Sequence, residues 1–201
     1  MRMTNLQKIL VANRGEIASR IMRTARAMGY RTVALLAQLN NGEQTDASAP
    51  HVLDADEAVR LTGDTLAQTY LNIDAIIDAA HRSGADAIHP GYGFLSENAA
   101  FARACEKAGL TFIGPHADSI ELMGNKRQAK IAMQRAGVPC IAGYEGAAQD
   151  DDSLTNAALA IGFPLMLKAD AACGWYTMQR SLPTPFAVLA RKRRTRLAAA
   201  S

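Results

Sequence analysis

Two glycines around a tyrosine, in the stretch HPGYGFLSEN from His89 to Asn98, are the residues best suited to bring backbone against a ligand. Glycine accepts positive φ and has no Cβ, so a Gly-x-Gly turn after a strand lets amides approach an anion, and Ser96 can cap a helix whose first turn holds Glu97. By chemistry alone, a purely structural strand-to-helix turn is the commoner use of this pattern. The stretch NRGE, Asn13 to Glu16, offers Arg14 to a phosphate, although a solvated or salt-bridged arginine is the commoner outcome. Lys168 stands near the end of an apolar run, PLMLKA, where a cation is costly to hide unless an anion waits there.

Other reactive types do not assemble. His51, His81, His89 and His116 lack ligand spacing such as HxxxH, so structural or solvent-facing roles are expected for all four and no metal site is expected. Asp150, Asp151 and Asp152 point in different directions as consecutive residues and read as a solvated loop that places charge at the start of the next helix. The cysteines, Cys105, Cys140 and Cys173, are widely spaced without a CxxC, which suggests idle or buried thiols and neither a disulfide framework nor a zinc site.

The elements that must position these residues alternate. KILV, Lys8 to Val11, reads as a strand, followed by the Asn13-Arg14-Gly15 turn and an amphipathic helix to about Met28. On that helix Ile17, Ile21, Ala25 and Met28 share a face, with Arg23 and Arg26 opposite and Arg20 at the border. A second strand, Thr32 to Leu36, completes a βαβ unit, and a polar loop runs on to about Pro50. Helices over Asn72–Ala80 and Glu97–Lys107 alternate with strands over Asp86–His89 and Thr111–Ile113. Such alternation predicts an α/β fold, a doubly wound parallel-sheet domain whose ligand loops lie beyond the carboxyl ends of the strands. The turns Asn13-Arg14-Gly15, His89–Phe94 and Gly114-Pro115 should therefore share one edge. Beyond them, helices over Asp118–Met123, Asn125–Ala136 (closed by Gly137) and Leu154–Ala160 precede a strand over Pro164–Ala169, which begins a second domain.

Taken in order, VANRGEIASRI, HPGYGFLSENAAFA, FIGPHADSIELMGNKRQAK and AGVPC closely resemble the biotin carboxylase family, from about Lys8 to Lys168. The loop LAQLNNGEQT looks longer than usual. The resemblance implies a pre-ATP-grasp domain over residues 1–115, an incomplete ATP-grasp domain over 116–169, and a basic tail outside the family pattern over 170–201. It implies that bicarbonate attacks the γ-phosphate of ATP to give carboxyphosphate, whose carboxyl group passes to a ureido nitrogen of biotin. It places nucleotide-contacting lysines on Lys126, in MGNK, and Lys168, in LMLKA. It places Tyr92, Gly93 and Glu97 at the bicarbonate and biotin end of the cleft, with helix N-terminal charge complementarity as the bland alternative for Glu97. It puts Arg20 and Arg23 at the family's dimer contact, where a plain surface pair is equally expected. ATP, magnesium and biotin are the implied cofactors and substrates, and a biotin carboxyl carrier domain and a carboxyltransferase subunit the implied partners, with a homodimer.

The resemblance breaks after Lys168. The family continues with a glycine-rich loop, typically GGGGRGM, whereas this chain reads ADAACGWYTMQR, and Trp175 or Tyr176 cannot stand where backbone must approach an anion. With synonymous codons chosen to suit, Lys168–Met178 read two bases later gives GGRGMRVVHH, and Arg191–Ser201 gives EAKNAFGSSEL, both family-like. A frame shift near Lys168 with a stop after Ser201 is the expectation, and an isolated chain that neither carboxylates biotin, hydrolyses ATP at a useful rate, nor binds these ligands tightly.

Charge follows the same break. Residues 171–201 hold six of the 22 basic residues and none of the 19 acidic ones, so a mildly acidic body carries a basic tail. RKRRTR could attract phosphates without specificity, but it lacks interleaved aromatics, and nucleic acid is not expected as a partner. No run of eighteen apolar residues and no leader pattern occurs, so a cytoplasmic location without membrane contact is expected. A non-catalytic module that pairs through the Arg20 and Arg23 helix is the alternative reading.

Overall fold

The computed structural model describes residues 6–39, 44–45, 47–148, 150–162, 164–168 and 175–178. It divides into two compact units, Met1–Glu121 and Leu122–Ser201.

In the first unit β1 (Lys8–Val11), α1 (Gly15–Ala27) and β2 (Arg31–Leu39) form the expected βαβ unit, with β1 and β2 parallel from Lys8↔Arg31 to Val11↔Ala34. Three elements follow that the apolar pattern did not announce: β3 (Gln44–Thr45), the single turn α2 (Pro50–Leu53) and β4 (Glu57–Leu61). After them come α3 (Ile73–Ser83), β5 (Ala87–His89), α4 (Ala99–Lys107) and β6 (Thr111–Phe112). The parallel pairs β2–β4, β1–β2, β1–β5 and β5–β6 give a five-stranded parallel sheet in the order β4-β2-β1-β5-β6, and β3 adds antiparallel to the end of β2. Strand order runs outward one way from β1 to β4 and the other way from β5 to β6. The reversal lies between β1 and β5, and crevices form at the carboxyl ends of such a pair.

Period-2 alternation sorts the sheet residues onto two faces. Leu10, Val33, Leu35, Val59, Leu61 and Ile88 pack with Tyr70, Ile76 and Phe101 in the larger core. Val11 and Ala34 face Ala18 and Met22 of α1, while Ile9 and Ala87 meet Ala25. Burial of a side chain of this kind is worth about 1.5–3 kcal/mol. The buried stripe of α1 is thus Ala18, Ser19, Met22 and Ala25, and the expected apolar face is corrected: Met28 is 66% exposed because it is the C-cap beyond the helix. His51, wholly buried, donates from Nε2 to the Leu35 carbonyl at 3.2 Å.

Helix α5 (Ala117–Gly124) leads out of the first unit, and the second holds α6 (Lys126–Arg135), α7 (Asp151–Ile161) and the antiparallel pair β7 (Leu165–Lys168) and β8 (Trp175–Met178). Asp150 caps α7 by accepting from the Ser153 amide at 2.8 Å; Asp151 and Asp152 bring the expected charge to the helix start but lie in its first turn and not in a loop. Strand β8 lies within the stretch 170–201 read as a basic tail, where no element was expected. The basic run RKRRTR and Cys173 lie outside the described residues.

Candidate functional site

The register places the carboxyl ends of β1, β5 and β6 side by side, with Val11 opposite His89 and Ile88 opposite Phe112. The three turns Asn13-Arg14-Gly15, His89–Phe94 and Gly114-Pro115 therefore share one edge, as the alternation predicted. Two backbone hydrogen bonds seal it, from Ala12 N to His89 O and from Ile113 N to Ile88 O, both 2.8 Å.

At the strand-order reversal Asn13 is 1% exposed, and its side chain is fully engaged. Nδ2 donates to Pro90 O at 3.0 Å and to Tyr92 O at 2.9 Å, while Oδ1 accepts from Arg14 N at 3.0 Å. The next residue, Arg14, is the extended N-cap residue of α1, and its guanidinium lies over the stacked rings of Tyr70 and Phe94. Sequence reasoning considered Arg14 for a phosphate and passed over Asn13. The structure places Arg14 on two aromatic faces and gives the bridging role to its neighbour.

The loop that Asn13 holds is left-handed at Gly91 (φ +70°), Gly93 (φ +71°) and Phe94 (φ +45°). Gly91 is required twice over, since a Cβ there would stand 2.6 Å from Asn13 Nδ2. Gly93 has open space where a Cβ would be, so only its backbone angle demands glycine, and the surroundings stay free for an approaching group. Tyr92, between them, is 77% exposed. His89 Nδ1 accepts from Gly91 N at 3.0 Å, which needs an unprotonated Nδ1, and burial holds the His89 pKa below its ordinary value. Tyr92, Gly93 and Glu97 thus share one loop.

Glu97 itself is exposed and sits in the turn before α4, ahead of the cap. The capping expectation is corrected: Asn98 caps α4, accepting from Phe101 N at 3.1 Å, and the first helical turn holds no acidic residue. Glu97 is therefore outside the turn where helix-dipole complementarity would explain it.

Arg20 and Arg23, three apart on α1, are both exposed on its outer side. In the second unit Lys126 is the first residue of α6, whose cap is Asn125, accepting from Gln128 N at 2.9 Å. Lys126 and Arg127 both occupy the first turn, which carries no acidic residue. Cations are disfavoured at this end of a helix, where free N–H groups and the dipole suit an anion. Arg127 donates to Glu145 O, and Lys130 pairs with the Glu145 carboxylate at 2.5 Å. Lys168 ends β7 opposite Trp175 of β8, and the intervening residues 169–174 lie outside the described residues. Among the described residues no group of three or more His, Cys, Asp or Glu is placed to hold a metal ion. No helix among them is long and apolar enough to cross a membrane.

Comparison with known proteins matches two family models in succession: "Biotin carboxylase, N-terminal domain" over residues 5–120 and "Carbamoyl-phosphate synthase L chain, ATP binding domain" over residues 125–181. The biotin carboxylase of Halalkalibacterium halodurans is 48% identical over 173 residues, covering 86% of this chain and 37% of that protein. The mitochondrial methylcrotonoyl-CoA carboxylase subunit alpha of Oryza sativa subsp. japonica is 53% identical over 163 residues, 81% of this chain and 21% of the relative. Among solved structures, the biotin carboxylase domain dimer of Hydrogenobacter thermophilus 2-oxoglutarate carboxylase, in complex with magnesium ADP, ADP and bicarbonate, superposes with a TM-score of 0.80 at 44% identity. It covers 91% of this chain and 39% of that one. The chain thus spans well under half the length of each of these relatives.

Proposed function

Because the chain belongs to the biotin carboxylase family, we propose that it supplies the N-terminal part of a subunit that carboxylates biotin at the expense of ATP and bicarbonate. The parts are a pre-ATP-grasp domain over residues 1–115, the start of an ATP-grasp domain over 116–169 and a basic tail over 170–201, of which residues 170–181 still fall inside the ATP-binding-domain match. A bicarbonate oxygen attacks the γ-phosphorus, ADP departs, and the carboxyl group of the resulting carboxyphosphate passes to a ureido nitrogen of biotin with release of phosphate. Such chemistry depends on positioning and on positive charge around the phosphates. In this reading Lys126 and Lys168 supply that charge, and Tyr92, Gly93 and Glu97 line the bicarbonate and biotin side. A biotin carboxyl carrier domain and a carboxyltransferase are the partners.

The observation that carries the reading is the open, left-handed Gly91–Phe94 turn at the strand-order reversal, with Tyr92 presented outward. A chain of these residues taken alone neither turns over ATP at a useful rate nor binds these ligands tightly. The support is the sequence after Lys168, where ADAACG stands in place of glycines. The test is a pair of titrations followed by amide NMR. ATP is expected to perturb residues around Lys126 weakly, and bicarbonate with biotin to perturb residues 92–97. Perturbations elsewhere overturn the assignment, and bicarbonate-dependent release of ADP overturns the inactivity.

A non-catalytic module is the second reading, favoured by the outward placement of Arg20 and Arg23 on α1. Sedimentation of the purified chain decides it, because a dimer lost on Arg20→Glu supports pairing through that helix and a monomer removes it.

A further inference from the structure

Asn13 spends every hydrogen of its side-chain amide on one loop. The two acceptors, Pro90 O and Tyr92 O, flank Gly91, so the amide spans the first left-handed residue from both sides. Gly91 lies so close that a methyl group in place of its hydrogen would stand within 2.8 Å of Asn13 Nδ2, Cγ and Cβ. Gly91 and Gly93 take positive φ freely, but Phe94 (φ +45°) does so against its local preference, so surrounding structure must hold that residue. Within the loop itself the hydrogen bonds are few: His89 Nδ1 accepts from Gly91 N, and Gly93 O accepts from Ser96 N at 2.9 Å. Asn13, buried in the turn after β1, reaches the loop from outside it, and Oδ1 fixes its own orientation by accepting from Arg14 N.

We propose that Asn13 is a positioning residue for the substrate side: its side-chain amide moulds the Gly91–Phe94 turn and thereby sets where Tyr92 and the Gly93 backbone are presented. The inference rests on reading that loop as the bicarbonate and biotin side. Asn13 acts through the two carbonyls and touches no substrate. An asparagine is suited to the task because one planar group offers two donors at a fixed angle while its oxygen accepts.

The test compares amide hydrogen exchange in the unsubstituted chain, Asn13→Ala and Asn13→Ser. Loss of both donors is expected to speed exchange at Gly91 and Ser96 by about tenfold, with Leu35 and Ile76 in the sheet core and α3 unchanged. Serine keeps one donor, so its loop amides should fall between the other two chains. A rise shared equally by Leu35 and Ile76, or no rise at Gly91 and Ser96, overturns the proposal. If the alanine variant does not fold, the serine variant decides, and its failure to fold would also overturn a local role. The outcome is independent of ligand: a failed bicarbonate and biotin titration leaves the exchange pattern standing, and the reverse holds equally.

Discussion

The Arg14 guanidinium stands 5.7 Å from the centre of the Tyr70 ring, and Tyr70 is wholly buried. Phe94 stacks on the same ring at 5.3 Å between centroids, so the cation covers an aromatic pair drawn from two separate loops. Replacing Arg14 by alanine is expected to lower stability by about 0.5–2 kcal/mol, and lysine to recover part of it, because a compact ammonium stacks less well than a planar guanidinium. Urea unfolding should show the midpoint falling at constant slope.

Beneath that stack, the Tyr70 hydroxyl donates to Leu35 O at 3.1 Å, a carbonyl that also receives His51 Nε2. Tyr70→Phe therefore removes one donor and leaves the acceptor satisfied. The expected cost is about 1 kcal/mol, at the modest end for a buried hydrogen bond. Loss of several times that amount would mean that the His51 bond does not compensate.

Two neighbouring candidates for capping α4 separate cleanly by mutation. Asn98 accepts from Phe101 N, so Asn98→Ala should cost about 1 kcal/mol, whereas Ser96→Ala should fall within about 0.5 kcal/mol of zero. Thermal unfolding of both variants measures the contrast, and a larger loss for Ser96 would reverse the cap assignment.

That pair marks where sequence reading reached its limit. The apolar runs KILV and TVALL and the helical periods between them disclosed β1, α1 and β2, because burial on both faces of a parallel strand leaves a continuous signal. Strand β4 was passed over: in EAVRL only Val59 and Leu61 are buried, an edge-strand alternation too short to stand out. The shared edge of the three turns was legible from alternation alone. Asn13 was not, since its role depends on carbonyls at Pro90 and Tyr92 that no local pattern connects to it. Its one visible signal was a polar residue directly after a buried strand at the first βα turn.

Acid should weaken the first unit in two steps. Burial keeps the His89 pKa below its ordinary value of 6.5, so between that lowered value and 6.5 the unfolded chain binds more protons than the native one. Stability in this window rises with pH and is lost on acidification, and His89→Gln should flatten the slope there. Asp56 gives the lower step. Its carboxylate accepts from Thr32 N at 2.8 Å and from the Thr32 hydroxyl at 2.9 Å, which holds its pKa below 3.8. That contribution is present above 3.8 and disappears as pH falls through the folded value; Asp56→Asn should remove it. Unfolding midpoints measured from pH 7 down to pH 3 test both signs.

Lys168 pairs with Trp175, so the connection between β7 and β8 is Ala169–Gly174, in which Gly174 is the only glycine. A loop that closes its amides around a triphosphate needs residues free to take positive φ without a Cβ in the way, and Asp170 adds a negative charge where the ligand would be anionic. Scattered substitutions would leave later family strings readable in the same frame, and none is readable there. A shift of frame explains both facts at once, since Lys168–Met178 can be encoded so that a start two bases later yields GGRGMRVVHH. Trp175 and Met178, which have single codons, constrain that reading and satisfy it. Sequencing the gene across the codons for Lys168 to Trp175 is expected to return a glycine-rich, family-like continuation in the shifted frame. Codons that give no such continuation would make ADAACG a substituted loop, and the weak nucleotide binding expected of this chain would then be a property of the gene's own reading frame.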